Sequence, residues 1–453
     1  MKYAIAVGVM MVVGLLYVDS AQATGTLFVI DPDASVTLEK KFVQNIGSIA
    51  VIDLGKDGLK EFAIGSPVGQ KPKVTIVRQD GTEVFSFYPY TDRQSEGAQV
   101  AIGDIDNDKK PEIITLPGLG RSQVKIFDTY GKQKLGKSFF AFDRNQIGEH
   151  KIALANLTAG SGLNIIVYTG RGLLPQMKAF TSKGKAVAFS VVLKDFGITG
   201  LAVVSLPSDT TKHNNVLITE QYGMKRQAVL VDYKGKSIRT FALDWVAGVI
   251  DIAVDETAGK EEPNILLLES GIPEPMLARF DETGKQYSSV VIDTLKNKDF
   301  AYHLSIASLR GEIFPQVLVT QSNIPSINMI EQEQHISISL ESQRLRFHDR
   351  GFEAAFIPVS SGRPSSPTPP GIYSIANHFL RPYSRKANLY MPYWMAFKAP
   401  EYGLHELPEW ANGAKEGAEH LGLKVSHGCV RLPVGAAQAI WTTAQDGAVV
   451  EIL

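Results

Sequence analysis

Cysteine occurs once in the 453 residues, at Cys429, inside the run Ser426-His427-Gly428-Cys429-Val430-Arg431. The thiolate is the nucleophilic form, and at an unperturbed pKa little of a thiol is ionised at neutral pH. A reactive cysteine therefore needs a base or a positive neighbour, and His405, His427 and Arg431 are the candidates nearby in the sequence. His427 precedes Cys429 by two positions, so in an extended segment both side chains project from one face. A lone thiol can also be a small buried hydrophobe or an intermolecular linker. His420, in a stretch rich in Ala and Glu, reads as a surface residue on a helix. Tyr390, Tyr393 and Trp394 read as core or cleft wall.

The chain's beginning bears on that choice. It opens with Lys2, an apolar run from about Ala4 to Val18, and Ala21-Gln22-Ala23. This is the charged start, apolar middle and small-residue cleavage site of a secretory signal peptide over residues 1–23, and the run falls short of the roughly 20 residues a membrane span needs. An exported protein meets an oxidising compartment, where cysteines usually pair as disulfides, and a single one has no partner within its chain. Forty-six basic against 47 acidic residues give a formal charge of −1, which argues against an electrostatic nucleic-acid binder. The 44% hydrophobic content is that of ordinary globular material, and the length of 453 residues suggests two or three domains.

Residues 24–325 contain a recurring unit. Its first half begins near Ile49, Val100, Ile152, Leu201, Ile250 and Leu304, about 50 residues apart. Short β-branched runs alternate with Asp, Gly and Asn turns such as Gln79-Asp80-Gly81 and Asp232-Tyr233-Lys234-Gly235, which are hairpin signals. Four short strands at this period predict an all-β protein with an N-terminal β-propeller of about six blades. The last unit lacks a second half near Ser322, and the segment after residue 23 looks like one. The N-terminal strands are thus expected to complete the last blade and remove an open sheet edge. The units resemble FG-GAP or VCBS repeats. In the second unit Asp104, Asp106 and Asp108, followed by Glu112, offer oxygen ligands suited to a structural Ca²⁺. The competing reading is acidic turn residues bonded to their own backbone. The first unit keeps only Asp53 and Asp57.

From about residue 330 the period disappears. Ile336, Ile338 and Leu340 alternate with polar residues as a half-buried strand, Arg344–Phe347 reads as a second, and a third is centred on Phe356–Val359. The segment Gly362-Arg363-Pro364-Ser365-Ser366-Pro367-Thr368-Pro369-Pro370-Gly371 is a rigid loop. Residues 330–453 resemble the catalytic domain of the YkuD-type L,D-transpeptidases. The match runs in order through "SLESQRLRFHDRG", "PVSSGRPSSPTPPGIYSI", "MPYWMAF", "YGLHELP" and "SHGCVRL".

This resemblance implies a β-sandwich with short helices. It also implies Cys429 as nucleophile, His405 as its base, His427 as a supporting residue, and Gly428, Ser426 and Arg431 in oxyanion and substrate binding. The expected reaction forms a thioester with a peptidoglycan tetrapeptide stem and transfers it to an amine of another stem or of a wall-anchored lipoprotein. Hydrolysis of the same bonds, or an inert wall-binding scaffold, is the alternative. No cofactor is expected for catalysis, the propeller is expected to dock other cell-wall enzymes, and the location expected is a Gram-negative periplasm. The acidic, Ala-rich segment between His405 and Ser426 is longer than the family's usual interval.

Overall fold

The computed structural model describes residues 46–54, 59–134, 138–208, 211–221, 227–243, 248–255, 265–270, 274–295, 334–349 and 352–453, with the backbone of Gly25–Ile30, Val36–Phe42, Ala301–Ala307 and Gln316–Ser322. The signal-peptide segment and Asp57 lie outside the described residues. Strands dominate, and among the described residues Ala436–Thr443 is the one α-helix. No helix among them is long and apolar enough to cross a membrane.

The first region is a series of antiparallel sheets whose strands mostly follow chain order, beginning with Ser48–Ile52, Glu61–Gly65, Val74–Val77 and Glu83–Phe87. The hairpin closing several of these units has one recipe. Asp128, Asp232 and Asp281 each accept, on Oδ1, hydrogen bonds of 2.8–3.1 Å from two backbone N–H groups of the turn that follows. The turn glycines Gly131, Gly184 and Gly284 have φ of 78°, 73° and 85°. A Cβ there would lie 2.8 Å from Phe87, 2.7 Å from Phe139 and 2.4 Å from Phe241, each in the preceding sheet. Only glycine gives both the backbone angle and the close approach.

Packing continues from sheet to sheet. Ile114, Leu116 and Ile126 of one sheet share a core with Ile165, Val167 and Phe180 of the next, and Leu217 and Leu230 share another with Ile252 and Leu267. The first strands of successive sheets touch in order, and Ala301–Ala307 touches Ser48–Ile52, so the order closes on itself. Gly25–Ile30 pairs with Gln316–Ser322 on one side and Val36–Phe42 on the other. Both ends of the region therefore meet in one four-stranded sheet.

The second region has two sheets. One runs Phe352–Pro358, Arg344–Asp349, His335–Ser339, Val449–Ile452, Gly371–Ser374, and the other Asn377–Phe379, Trp394–Lys398, Tyr402–Glu406, Val430–Leu432. Their inner faces share a core that includes Ile336, Ile338, Phe347, Met395, Leu404, Val430 and, from the helix, Ile440. Alternation along His335–Ser339 follows from this, because Ile336 and Ile338 face that core.

The same core takes in two residues of the first region, Leu173 and Ile198, both at most 2% exposed. Beside them a Cβ at Gly172 would sit 2.8 Å from that of Ala355. Arg171 donates to Glu149 Oε2 at 2.8 Å and to Glu353 Oε1 at 2.9 Å across the boundary. The third unit of the first region thus seals the second region's core.

Candidate active site

Cys429 ends the tight loop that enters Val430–Leu432, and this strand runs parallel to Tyr402–Glu406 with Arg431 level with His405. Cys429 and His405 line one cleft of about 610 Å³, with Trp394, Tyr402, Ser426 and Arg431 among its walls. The thiol is partly exposed, and its hydrogen points at the Glu401 carbonyl, Sγ to O 3.7 Å.

His405 is 2% exposed. Its Nδ1 lies 2.6 Å from the Glu406 carbonyl oxygen, which can only accept, so Nδ1 carries the proton and Nε2 keeps a lone pair. Trp394 stacks on the ring at 5.8 Å between centroids and 17° between planes. Burial pushes the imidazole down to about 4, the Glu406 carbonyl opposes this, and the Arg431 charge adds to it. Burial raises the Cys429 thiol, while the Gly403 backbone and the charges of Arg431 and Lys386 pull it back. The site therefore rests at neutral pH as a thiol and a neutral imidazole that line the same cleft.

The loop bearing the thiol is fixed from two sides. Within it, Ser426 Oγ accepts the Gly428 N–H at 3.1 Å and donates to the Cys429 carbonyl at 2.5 Å. From the proline-rich loop, Ser366 Oγ donates to the His427 carbonyl at 3.0 Å and Thr368 Oγ1 to the Gly428 carbonyl at 2.8 Å. Gly428 has φ +113°, and a Cβ there would fall 2.6 Å from a Tyr402 ring carbon. Of the two backbone N–H groups expected around the oxyanion, those of Gly428 and Cys429, the Gly428 one is turned to the Ser426 hydroxyl in this structure. Ser426 acts on the loop itself.

His427 is exposed, and burial followed by the charges of Arg363, Arg431 and Lys386 lowers its pKa. Arg431 is buried, lines the cleft, and meets Glu416 at 3.7 Å and His420 Nδ1 at 3.4 Å. His420 is thus half-buried beside a cleft arginine, on a single 3₁₀ turn, Ala418–His420. No α-helix forms there because Gly413, Gly417 and Gly422 all take positive φ.

The acidic turn of the first region lies apart from this cleft. Asp104, Asp106 and Asp108 bring a carboxylate oxygen each within 4.8 Å of one another. Lys134 Nζ stands among them, 3.0 Å from Asp106, 3.0 Å from Asp108 and 2.5 Å from the buried Glu112. Asp104 receives the N–H groups of Asp108 and Lys109 at 3.2 and 2.9 Å, and Glu112 Oε2 that of Ile105 at 3.1 Å. The donor set suits calcium by chemistry, yet the Lys134 ammonium already stands among the carboxylates where a dication would sit, so an added ion would have to displace it.

Residues 333–452 match the family model of the YkuD L,D-transpeptidase catalytic domain. The matched span is the second region, cleft included. Among solved structures, an L,D-transpeptidase (Yku) from Stackebrandtia nassauensis is 23% identical, over 28% of this chain and 58% of that one, with a TM-score of 0.23. The catalytic domain of the E. faecium L,D-transpeptidase is 20% identical over 27% of this chain and 99% of that one, TM-score 0.21. An L,D-transpeptidase from Mycobacterium tuberculosis H37Rv is 14% identical over 40% and 90%, TM-score 0.24. No curated protein matches the chain.

Two groups of the site are not evident from sequence. Glu406 matters through its carbonyl, which no side-chain pattern announces. Trp394 reads as cleft wall, and the ring it covers is the candidate base.

Proposed function

We propose that the chain is an exported cysteine L,D-transpeptidase of the cell wall, working in the periplasm. The observation that carries this reading is the neutral His405, held at Nδ1 by a carbonyl and sharing one cleft with the chain's single thiol. Cys429 Sγ attacks the carbonyl of the third residue of a tetrapeptide stem as His405 Nε2 takes the thiol proton. A sulfur–carbon bond forms, the carbon–nitrogen bond to the terminal D-alanine breaks, and the imidazolium returns its proton to the leaving amine. An acceptor amine on a second stem or an anchored protein then attacks the thioester, loses a proton to His405 and frees the thiol. The Cys429 N–H, the other donor expected there, is assigned to the developing oxyanion. Arg431 holds a substrate carboxylate, and His427 stands at the rim.

The circular order of the first region's sheets supports a six-bladed propeller closed by the N-terminal strands. Its task is to hold the YkuD domain on the wall or on a partner enzyme.

Incubation of the full chain with tetrapeptide muropeptides, read by mass spectrometry, tests the reaction. Dimers with 3→3 links and released D-alanine are expected, and Cys429→Ala must abolish both. Trimmed tripeptides without dimers would replace transfer by hydrolysis, and an unchanged substrate would remove the enzymatic reading.

A further inference from the structure

The segment between His405 and Ser426 folds back onto the base. Glu406, which follows His405, is a buried acid whose two ends do different things. Its backbone carbonyl holds His405 Nδ1. Its carboxylate is fixed at Oε2 by the Gly435 N–H, 3.0 Å away where the helix begins, and at Oε1 by Lys415 Nζ, 2.6 Å away. The same ammonium reaches Glu409 Oε2 at 2.5 Å, and Glu409 is ion-paired with Arg381, whose guanidinium lies 3.7 Å over the Tyr390 ring. The backbones of Glu409 and Tyr390 bond each other in both directions, at 2.9 and 3.0 Å. Lys415 thus sits between two mostly buried carboxylates that join the base-bearing strand to the hairpin on the cleft's other side.

A buried carboxylate is held in place only while it is paired, and removing one partner leaves an uncompensated charge that the surroundings must move to solvate. At Glu406 such a movement turns the peptide unit whose carbonyl aims the base. A displacement of about 1 Å at a proton-transferring group can cost on the order of a hundredfold in rate. Gly435 alone does not prevent it, because its N–H fixes only one oxygen.

We propose that Lys415 is a positioning residue for His405, acting through Glu406, so that the added segment supports the base as well as shaping the cleft rim. This rests on the proposed reading of Cys429 and His405 as nucleophile and base, and the test separates the two. The chain's single cysteine allows the thiol to be assayed without turnover, as the rate of alkylation by iodoacetamide at neutral pH. Lys415→Met keeps length and removes the charge, and Lys415→Arg keeps the charge.

In Lys415→Met, kcat for muropeptide conversion should fall at least tenfold with KM within twofold of the parent, Cys429 alkylation should slow in parallel, and Lys415→Arg should recover most of both. Unchanged kcat and alkylation in Lys415→Met would overturn the proposal. So would a joint loss of kcat, KM and melting temperature that Lys415→Arg does not restore, since that is the signature of general unfolding. If the parent chain converts no muropeptide while Lys415→Met still slows alkylation and Lys415→Arg restores it, the transpeptidase reading fails and the positioning role stands.

Discussion

In the first region a hairpin is held by its own neighbours: Asp128 accepts N–H groups two and four residues on, at 3.0 and 2.9 Å. In the YkuD domain the loop bearing Cys429 is held by Ser366 and Thr368, which lie 61 and 60 positions away from their partners. The first arrangement can be copied unit by unit, because each copy carries its own turn acid and glycine. The second cannot be copied, because every contact pairs two particular places in the chain. Local closure makes a rigid frame out of repeats, and long-range closure makes one site that tolerates little change. The two meet at Leu173, Ile198 and Arg171, where a repeat unit lends apolar surface to the unrepeated core.

The largest effect is expected where the regions join. Leu173 is fully buried in the YkuD domain's core, so Leu173→Ala should cost about 2–5 kcal/mol of stability, the range for leucines whose cavity does not collapse. Calorimetry on the full chain checks this. If Leu173→Ala leaves melting unchanged, the regions are energetically independent and the shared core is only a contact.

Next comes the contrast between local and long-range closure. Gly428→Ala places a methyl 2.6 Å from the Tyr402 ring at φ +113°, displacing the loop that carries the thiol. Muropeptide conversion should drop about a hundredfold. The same change at Gly160, where nothing lies within 4 Å, should leave conversion unaltered despite its φ of +75°. Equal losses at both glycines would mean that backbone strain, and not the approach to Tyr402, is what matters.

Much of this was readable before any coordinates. The hairpin acids, the period and the half-units at both ends follow from turn chemistry and spacing, and Cys429, His405, His427 and Arg431 stand out as reactive types in a matching motif. Three things were not readable, for different reasons. Leu173 looks like any repeat leucine, and only the fold shows that it leaves its own unit's core. The segment holding His420 has a helical composition, but its three glycines at positive φ decide its shape. Gly428 is marked by the motif, yet whether its N–H faces substrate or Ser426 depends on one hydroxyl's rotamer.

Each region also buries a histidine, and a fall in pH should expose them alike. Burial pushes both His150 and His405 from 6.5 down to about 4. Each ring binds its proton more weakly folded than unfolded. Between pH 6.5 and about 4 the unfolded chain takes up the extra proton, and stability falls as pH falls. At pH 5 the loss should be about 2 kcal/mol for each ring. His150 is fully buried, stacked 5.5 Å from Phe142 and away from the cleft. His150→Phe should reduce the acid-side slope in denaturant titrations and spare conversion, whereas His405→Gln should reduce it by a similar amount and abolish conversion. A slope untouched by His150→Phe would show that the first region does not share this sensitivity.

The smallest effect is calcium's, and it sharpens what a repeat turn can become. The sequence of Asp104 to Glu112 invites a hard dication, but the Lys134 ammonium already touches Asp106, Asp108 and Glu112. Calcium would have to displace a cation that its neighbours hold. Burial opposes the charged form of Lys134, yet the hydrogen bonds it donates to Glu112, Asp108 and Asp106 outweigh this and raise the pKa. Millimolar calcium should therefore leave the melting temperature of the parent chain where chelator leaves it. Lys134→Met removes the internal cation and leaves four acids without it, so this variant should be less stable than the parent and regain about 1.4 kcal/mol at a calcium concentration ten times its Kd. A parent chain that is itself stabilised by calcium would mean that the ammonium yields its place, and that the turn is a cation site that Lys134 covers only in the ion's absence.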